Sequence, residues 1–191
     1  MSEFSILTDE SELLAKENRL DLRISTISFD RIPLVQIMGG REVTPSQVRT
    51  FCSVDFYNHD SKHSDANEGF EPIYNTLFSF KNVVDDFYLQ HLEKEFIVVE
   101  VFGIPPLTAD NRRPQGAIKL GTAKLPLLKI IEGDFSFQAQ EIIHKSHEEG
   151  AQELRIGKLF FRMRMRQSIE NALKWFNQNK IVKQGRTERD L

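Results

Sequence analysis

Glu71-Pro72-Ile73-Tyr74-Asn75-Thr76-Leu77-Phe78-Ser79-Phe80 is the stretch on which the fold reading turns. From Thr76 to Lys81 the residues alternate, with Phe78 and Phe80 on one side and Leu77 and Ser79 on the other. A period of two is the mark of a half-buried β-strand. Two phenylalanines on one side of it point into a core, and the chain carries 15 of them. Large flat side chains in that number suit the space between two stacked sheets.

The same period recurs on either side. Leu20, Leu22, Ile24 and Thr26 alternate with Asp21, Arg23 and Ser25; Cys52, Val54 and Phe56 alternate with Ser53 and Asp55. Phe96 to Phe102 is apolar apart from Glu100 and reads as a central strand. Ile118 to Leu127, Phe135 to Ile143 and Lys158 to Met165 complete the set, and Val35 to Met38 reads as a short edge strand. Turn chemistry between them favours an all-β, antiparallel, eight-stranded sandwich. Its bounds are residues 19–166, after a polar extension at 1–18 in which Ser11 caps a short helix carrying Leu13 and Leu14. Two further stretches have helical period. Val84, Phe87, Tyr88, His91 and Leu92 form one stripe, and Ile169, Ala172, Leu173 and Phe176 form another after Ser168, within residues 167–182. Residues 183–191 read as a charged tail without structure.

The composition limits function. A formal net charge of −3 gives nucleic acid or an anionic membrane no global attraction, so any electrostatic recognition is local. A single cysteine, Cys52, excludes an internal disulfide framework and points to a reducing compartment. No apolar stretch approaches the ~20 residues of a membrane-spanning helix, and Met1-Ser2-Glu3 does not open a signal peptide. The expectation is a soluble, cytoplasmic chain.

Motifs for a nucleophile elbow, a P-loop or a dinucleotide fold are missing from the sequence. Cys52 lies mid-strand among Val54 and Phe56 and reads as a buried structural thiol; Asp85 and Asp86 read as charges at a helix start. His59, Asp60, His63 and Asp65 crowd one loop, and His144 and His147 another, without the spacing of a zinc site. They read as solvated loops, with a metal-dependent enzyme the remote alternative; neither catalytic residue nor cofactor is implied. On the last strand Phe161, Met163 and Met165 read as core, and Phe160, Arg162, Arg164 and Arg166 as the opposite face. Arginines two residues apart on a strand stand about 7 Å from one another. That face is either solvated or a dock for an acidic partner.

The quoted stretch resembles the "N-P-x-(F/W)-N-E-x-F-x-F" turn and strand of C2 domains. Val98-Val99-Glu100-Val101-Phe102 and Leu120-Gly121-Thr122-Ala123-Lys124-Leu125-Pro126-Leu127 are similar to the pattern that follows it in that family. The likeness covers residues 20–166. Within C2 domains, Thr50-Phe51-Cys52-Ser53-Val54-Asp55-Phe56-Tyr57-Asn58, the stretch from Val84 to Lys94 and the stretch from Ile169 to Phe176 resemble the first C2 domain of the RPGR-interacting proteins, which organise the ciliary transition zone. The resemblance implies a scaffold at the transition zone or axoneme, associated with the cytoskeleton, with ciliary proteins, tubulin or coiled coils as partners. It also implies where calcium ligands would lie, and there this chain departs: the expected aspartates fall on Gly103 and Pro105, and the first-loop acids near Arg49 and Thr50. Calcium needs six to eight oxygens, and the loop from Gly103 to Gly116 offers only Asp110 against Arg112 and Arg113. The alternative is a weak peripheral membrane module, in which Ile104, Pro106 and Leu107 insert and Arg112 and Arg113 meet headgroups.

Overall fold

The computed structural model describes residues 16–39, 43–106, 116–131, 138–147 and 150–187. Among these residues nine strands run antiparallel: β1 (Glu17–Phe29), β2 (Arg49–Asp55), the two-residue β3 (Lys62–His63) and β4 (Asn67–Glu68), β5 (Ile73–Val83), β6 (Phe96–Ile104), β7 (Ile118–Pro126), β8 (Gln138–His144) and β9 (Leu154–Met165). Their order is β3-β2-β6-β7-β8-β9-β1-β5, with β4 beside β3 on β2. The chain of pairings is thin at one place, where β7 and β8 share the single pair Thr122–Ile143. There the path passes from one layer of the sandwich to the other. Gly121 permits the crossing, because a Cβ would sit 2.8 Å from the Ile142 side chain and 3.0 Å from the Ile143 carbonyl oxygen.

The alternation read in the sequence becomes the core. Val99 and Val101 of β6, Cys52 and Val54 of β2, Phe78 and Phe80 of β5, and Phe161 and Met163 of β9 are all buried. On β1 the pattern holds through Leu20, Leu22 and Ile24 and then changes parity. The register with both neighbours shifts between Ile24 and Thr26. The bulge turns Ile27 and Phe29 inward, because one extra residue moves every later side chain to the other face. Thr26, expected on the core side, instead donates its hydroxyl to the Pro72 carbonyl at 2.8 Å.

Among the described residues three α-helices and a 3-10 turn at Pro45–Gln47 lie in the connections, α1 (Arg31–Ile37), α2 (Asp86–Lys94) and α3 (Leu128–Ile131), and α4 (Glu170–Thr187) follows the last strand. α1 replaces the edge strand expected at Val35 to Met38. Pro33 falls in its first turn, where a missing N–H costs nothing, and Leu34 docks on the core. α2 is capped by Asp85, whose carboxylate accepts the Tyr88 N–H at 2.8 Å. Its buried stripe is Tyr88, Leu89 and Leu92; Phe87, expected to dock, points out at 75% exposure. At α4 the expected face packs, with Ile169 just before the helix and Ala172 and Leu173 within it buried. That helix runs to Thr187, past residue 182 and into the stretch read as an unstructured tail. Straight-chain residues such as Lys183, Gln184 and Arg186 propagate a helix once its first turn is anchored. β1 likewise begins two residues before the expected boundary, with Asn18 buried and its side chain donating to the Gln167 carbonyl at 2.9 Å. The N-terminal helix expected around Ser11 lies outside the described residues.

Phe161 is 1% exposed on the inner face of β9. Phe161→Ala is expected to cost about 3–5 kcal/mol of folding stability, read as a lowered midpoint in denaturant unfolding.

Candidate docking face

The outer face of β5, β1 and β9 collects the charged side chains that the inward alternation leaves over. Arg19, Asp21 and Arg23 come from β1, Arg162 and Arg164 from β9, and Arg166 follows directly after it. Register makes them neighbours: Asp21 lies opposite Arg164 on one side and Ser79 on the other, and Arg23 opposite Arg162. The Arg166 N–H donates to the Arg19 carbonyl at 2.8 Å and holds the end of the row.

Asp21 is the hub. Although it sits on the outer face it is 3% exposed. Its carboxylate accepts the Ser79 hydroxyl at 2.6 Å and the Arg19 guanidinium at 3.1 Å, and Arg164 approaches to 3.5 Å. A buried carboxylate is stable only when hydrogen-bonded and paired, and these three partners, drawn from three strands, supply that. The arginines around it remain at the surface, with the Arg164 side chain 67% exposed. Arg23 is steered by a hydrogen bond to Asn75 Oδ1 at 3.2 Å, and Asn75 holds a left-handed backbone at φ 45° that its short polar side chain tolerates. Two apolar side chains border the row on β5, Leu77 at 51% and Ile73 at 73% exposure.

The structure therefore brings Arg162, Arg164 and Arg166 together on one exposed face and adds Arg19 and Arg23, which the reading of the last strand alone missed. Their signal was present in the polar positions of β1, but only the pairing of β1 with β9 makes them neighbours. At the other candidate surface, Ile104 and Pro105 are half-buried and Pro106 is exposed, while Leu107, Arg112 and Arg113 lie outside the described residues. Gly103 pairs with Thr50 across β6 and β2, so the two strand ends where the C2 resemblance would put carboxylates do meet. What they carry is a glycine packed on Leu120 and a buried threonine hydrogen-bonded to the Tyr74 hydroxyl. The described acid beside them, Glu68, faces Arg49 at 3.8 Å.

Three of the remaining histidines have local partners. His59 is hydrogen-bonded to Asn82 at 2.9 Å, His63 lies edge-on to Phe51, and the His144 ring N–H donates to the Leu120 carbonyl at 2.7 Å. Among the described residues no three His, Cys, Asp or Glu side chains converge. Burial pushes the Cys52 thiol up to about 12, so it is not a nucleophile at neutral pH. No helix among the described residues is long and apolar enough to cross a membrane.

A family model described as the first C2 domain of RPGR-interacting protein 1 matches residues 10–168. Curated protein sequences return no match. Solved structures similar to the chain are C2 domains. One is a C2 domain-containing protein from a putative elicitor-responsive gene, at 14% identity and TM-score 0.49, covering 78% of this chain and 88% of that one. The paired C2 domains of extended-synaptotagmin 2 have 15% identity and TM-score 0.40, covering 84% and 46%. A C2 domain protein from Ramazzottius varieornatus has 11% identity and TM-score 0.36, covering 79% and 90%.

Asp21→Ala is expected to destabilise the fold by about 1.5–3 kcal/mol, the range for hydrogen bonds to a charged group. A chemical denaturation curve checks it.

Proposed function

Because the chain belongs to the family of the first C2 domain of RPGR-interacting protein 1, we propose that it is a calcium-independent protein-docking module of the cilium, working through the outer face of β5, β1 and β9. C2 domains are typically non-catalytic modules that bind proteins or membranes. The observation that carries the protein reading is a concentration of positive charge. Arg19 and Arg164 pair with the carboxylate of Asp21, and Arg23, Arg162 and Arg166 stand on the same outer face, in a chain whose formal net charge is −3. Guanidinium groups fixed on a rigid sheet offer forked, charge-assisted hydrogen bonds to carboxylates. A flat face of this kind fits an acidic protein surface, such as tubulin or a Glu-rich coiled coil. The ciliary setting, at the transition zone or the axoneme, follows from the family likeness.

Calcium independence rests on the residues at the ends of β2 and β6. Glycine, threonine and an arginine-paired glutamate do not make a cradle for a cation that demands six to eight oxygens. Thermal unfolding is expected to coincide in millimolar calcium and in chelator. A ligand at a hundred times its dissociation constant would add ~2.7 kcal/mol, and an upward shift of that size contradicts the reading.

The Arg162→Glu/Arg166→Glu variant, which spares the Arg164–Asp21 pair, is expected to fold, since both side chains are exposed and exposed charges contribute ~0–1 kcal/mol each. It is also expected to lose ciliary enrichment, because reversed charge repels an acidic partner. Circular dichroism and imaging of a tagged variant check the two halves. A folded variant that localises like the unmodified chain overturns the docking assignment.

A further inference from the structure

Away from the arginine face, α2 is held against the turn that follows β2 by a box of aromatic rings. The ring of His91, in the last turn of the helix, lies 4.8 Å from that of Tyr57 and 5.6 Å from that of Phe56. Tyr57 also lies 5.4 Å from Tyr88, one turn earlier on the helix. Two polar atoms of these rings, His91 Nε2 and the Tyr88 hydroxyl, are buried without a hydrogen-bond partner. Tyr57 takes its place with a backbone φ of 50°. Bulky side chains rarely occupy that left-handed region, and they stay in it only where the surroundings enforce it.

We propose that Tyr57 and His91 form a proton-operated latch: the box closes on α2 while the imidazole is neutral, and the ring leaves it when protonated, letting the turn relax. Three observations carry this. First, a neutral imidazole can leave one nitrogen bare, but an imidazolium donates from both, and a buried charged donor without an acceptor is costly. Burial pulls His91 below the ordinary histidine value of 6.5, and the charge of Glu95, just past the helix, only partly offsets it. Second, the other ionisable groups around the box give the proton no seat. Asp85 is engaged by the Tyr88 N–H at the far end of α2, and Lys94 adds a like charge in the last turn. Glu93 is two residues along the helix, a spacing at which side chains do not face each other. His59 stacks on the ring of Phe56 and is bonded to Asn82. α4, which packs against α2, carries Glu170 and Lys174, and these pair with one another at 2.8 Å. Burial pushes the Tyr57 and Tyr88 hydroxyls up, so neither ionises where histidine does. Third, the strain at Tyr57 gives the opening its direction, because a turn no longer held by the His91 ring is free to leave φ 50°. The folded value lies below that of the unfolded chain. The latch therefore contributes fully above about pH 6.5 and its contribution is lost as pH falls below that.

The test is an NMR titration of the full chain from about pH 8 to about pH 5, the range in which histidine changes charge. It follows the ring signals of His91 and Tyr57 in the unmodified chain, in Tyr57→Gly and in Tyr57→Phe. The His91 midpoint is expected below 6.5, and the Tyr57 ring signals are expected to move with that same midpoint. Tyr57→Gly opens the box and suits the left-handed turn, so it should raise the His91 midpoint toward the ordinary value. Tyr57→Phe keeps the ring and should keep the low midpoint. In denaturant unfolding, the unmodified chain should lose more stability between about pH 7 and about pH 5.5 than His91→Gln, which cannot take up the proton. A His91 midpoint at or above 6.5, Tyr57 signals indifferent to it, or a Tyr57→Gly variant that leaves it unchanged overturns the latch.

Discussion

β1 is hydrogen-bonded along both edges, to β5 on one side and β9 on the other, and most of what distinguishes this chain follows from that. A strand in the middle of a sheet has its register fixed twice. When its pattern slips by one residue, as it does between Ile24 and Thr26, both neighbours must accommodate the change. The bulge lets the same strand feed Leu20, Leu22 and Ile24, then Ile27 and Phe29, into one core. It also divides the outer side of β1 into a charged part, where Arg19, Asp21 and Arg23 alternate outward, and an uncharged part beyond it at Thr26 and Ser28.

The buried carboxylate of Asp21 couples the two roles. It lies on the face that the fold does not need, yet it is nearly inaccessible because Ser79, Arg19 and Arg164 close over it. The arrangement ties β5, β1 and β9 together and at the same time holds Arg19 and Arg164 in place. Preorganised side chains lose less freedom on binding than free ones.

Much of this was legible in the sequence, for a physical reason. Strands with one buried face write their orientation into the chain every second residue, so Phe78, Phe80, Val99, Phe161 and Met163 declare themselves. The C2 signature around Tyr74 and Phe80 settled which sandwich to expect. What could not be read was anything depending on pairing or on a break in period. Arg23 joins Arg162 only through the register of β1 on β9, and the bulge that exchanges Thr26 for Ile27 in the core leaves no Gly or Pro to mark it. Val35 to Met38 misled because a short apolar run carries no period of its own, and the helix that replaces it tolerates Pro33 in its first turn. Phe87 misled differently: the buried stripe of α2 is centred on Tyr88, Leu89 and Leu92, which leaves Phe87 beyond its margin and facing out.

Everything functional turns on which surface meets the partner. A photo-crosslinking amino acid placed at Leu77, half-exposed beside the arginine row, and separately at Phe87 on α2, would report that contact directly in ciliated cells. The Leu77 position is expected to crosslink to a discrete protein segment rich in Asp and Glu. That product should disappear when Arg162 and Arg166 are reversed in charge, and Phe87 should give none like it. Crosslinks to lipid at Leu77, or an acidic segment captured at Phe87 and indifferent to the arginines, would contradict a docking role for the arginine face.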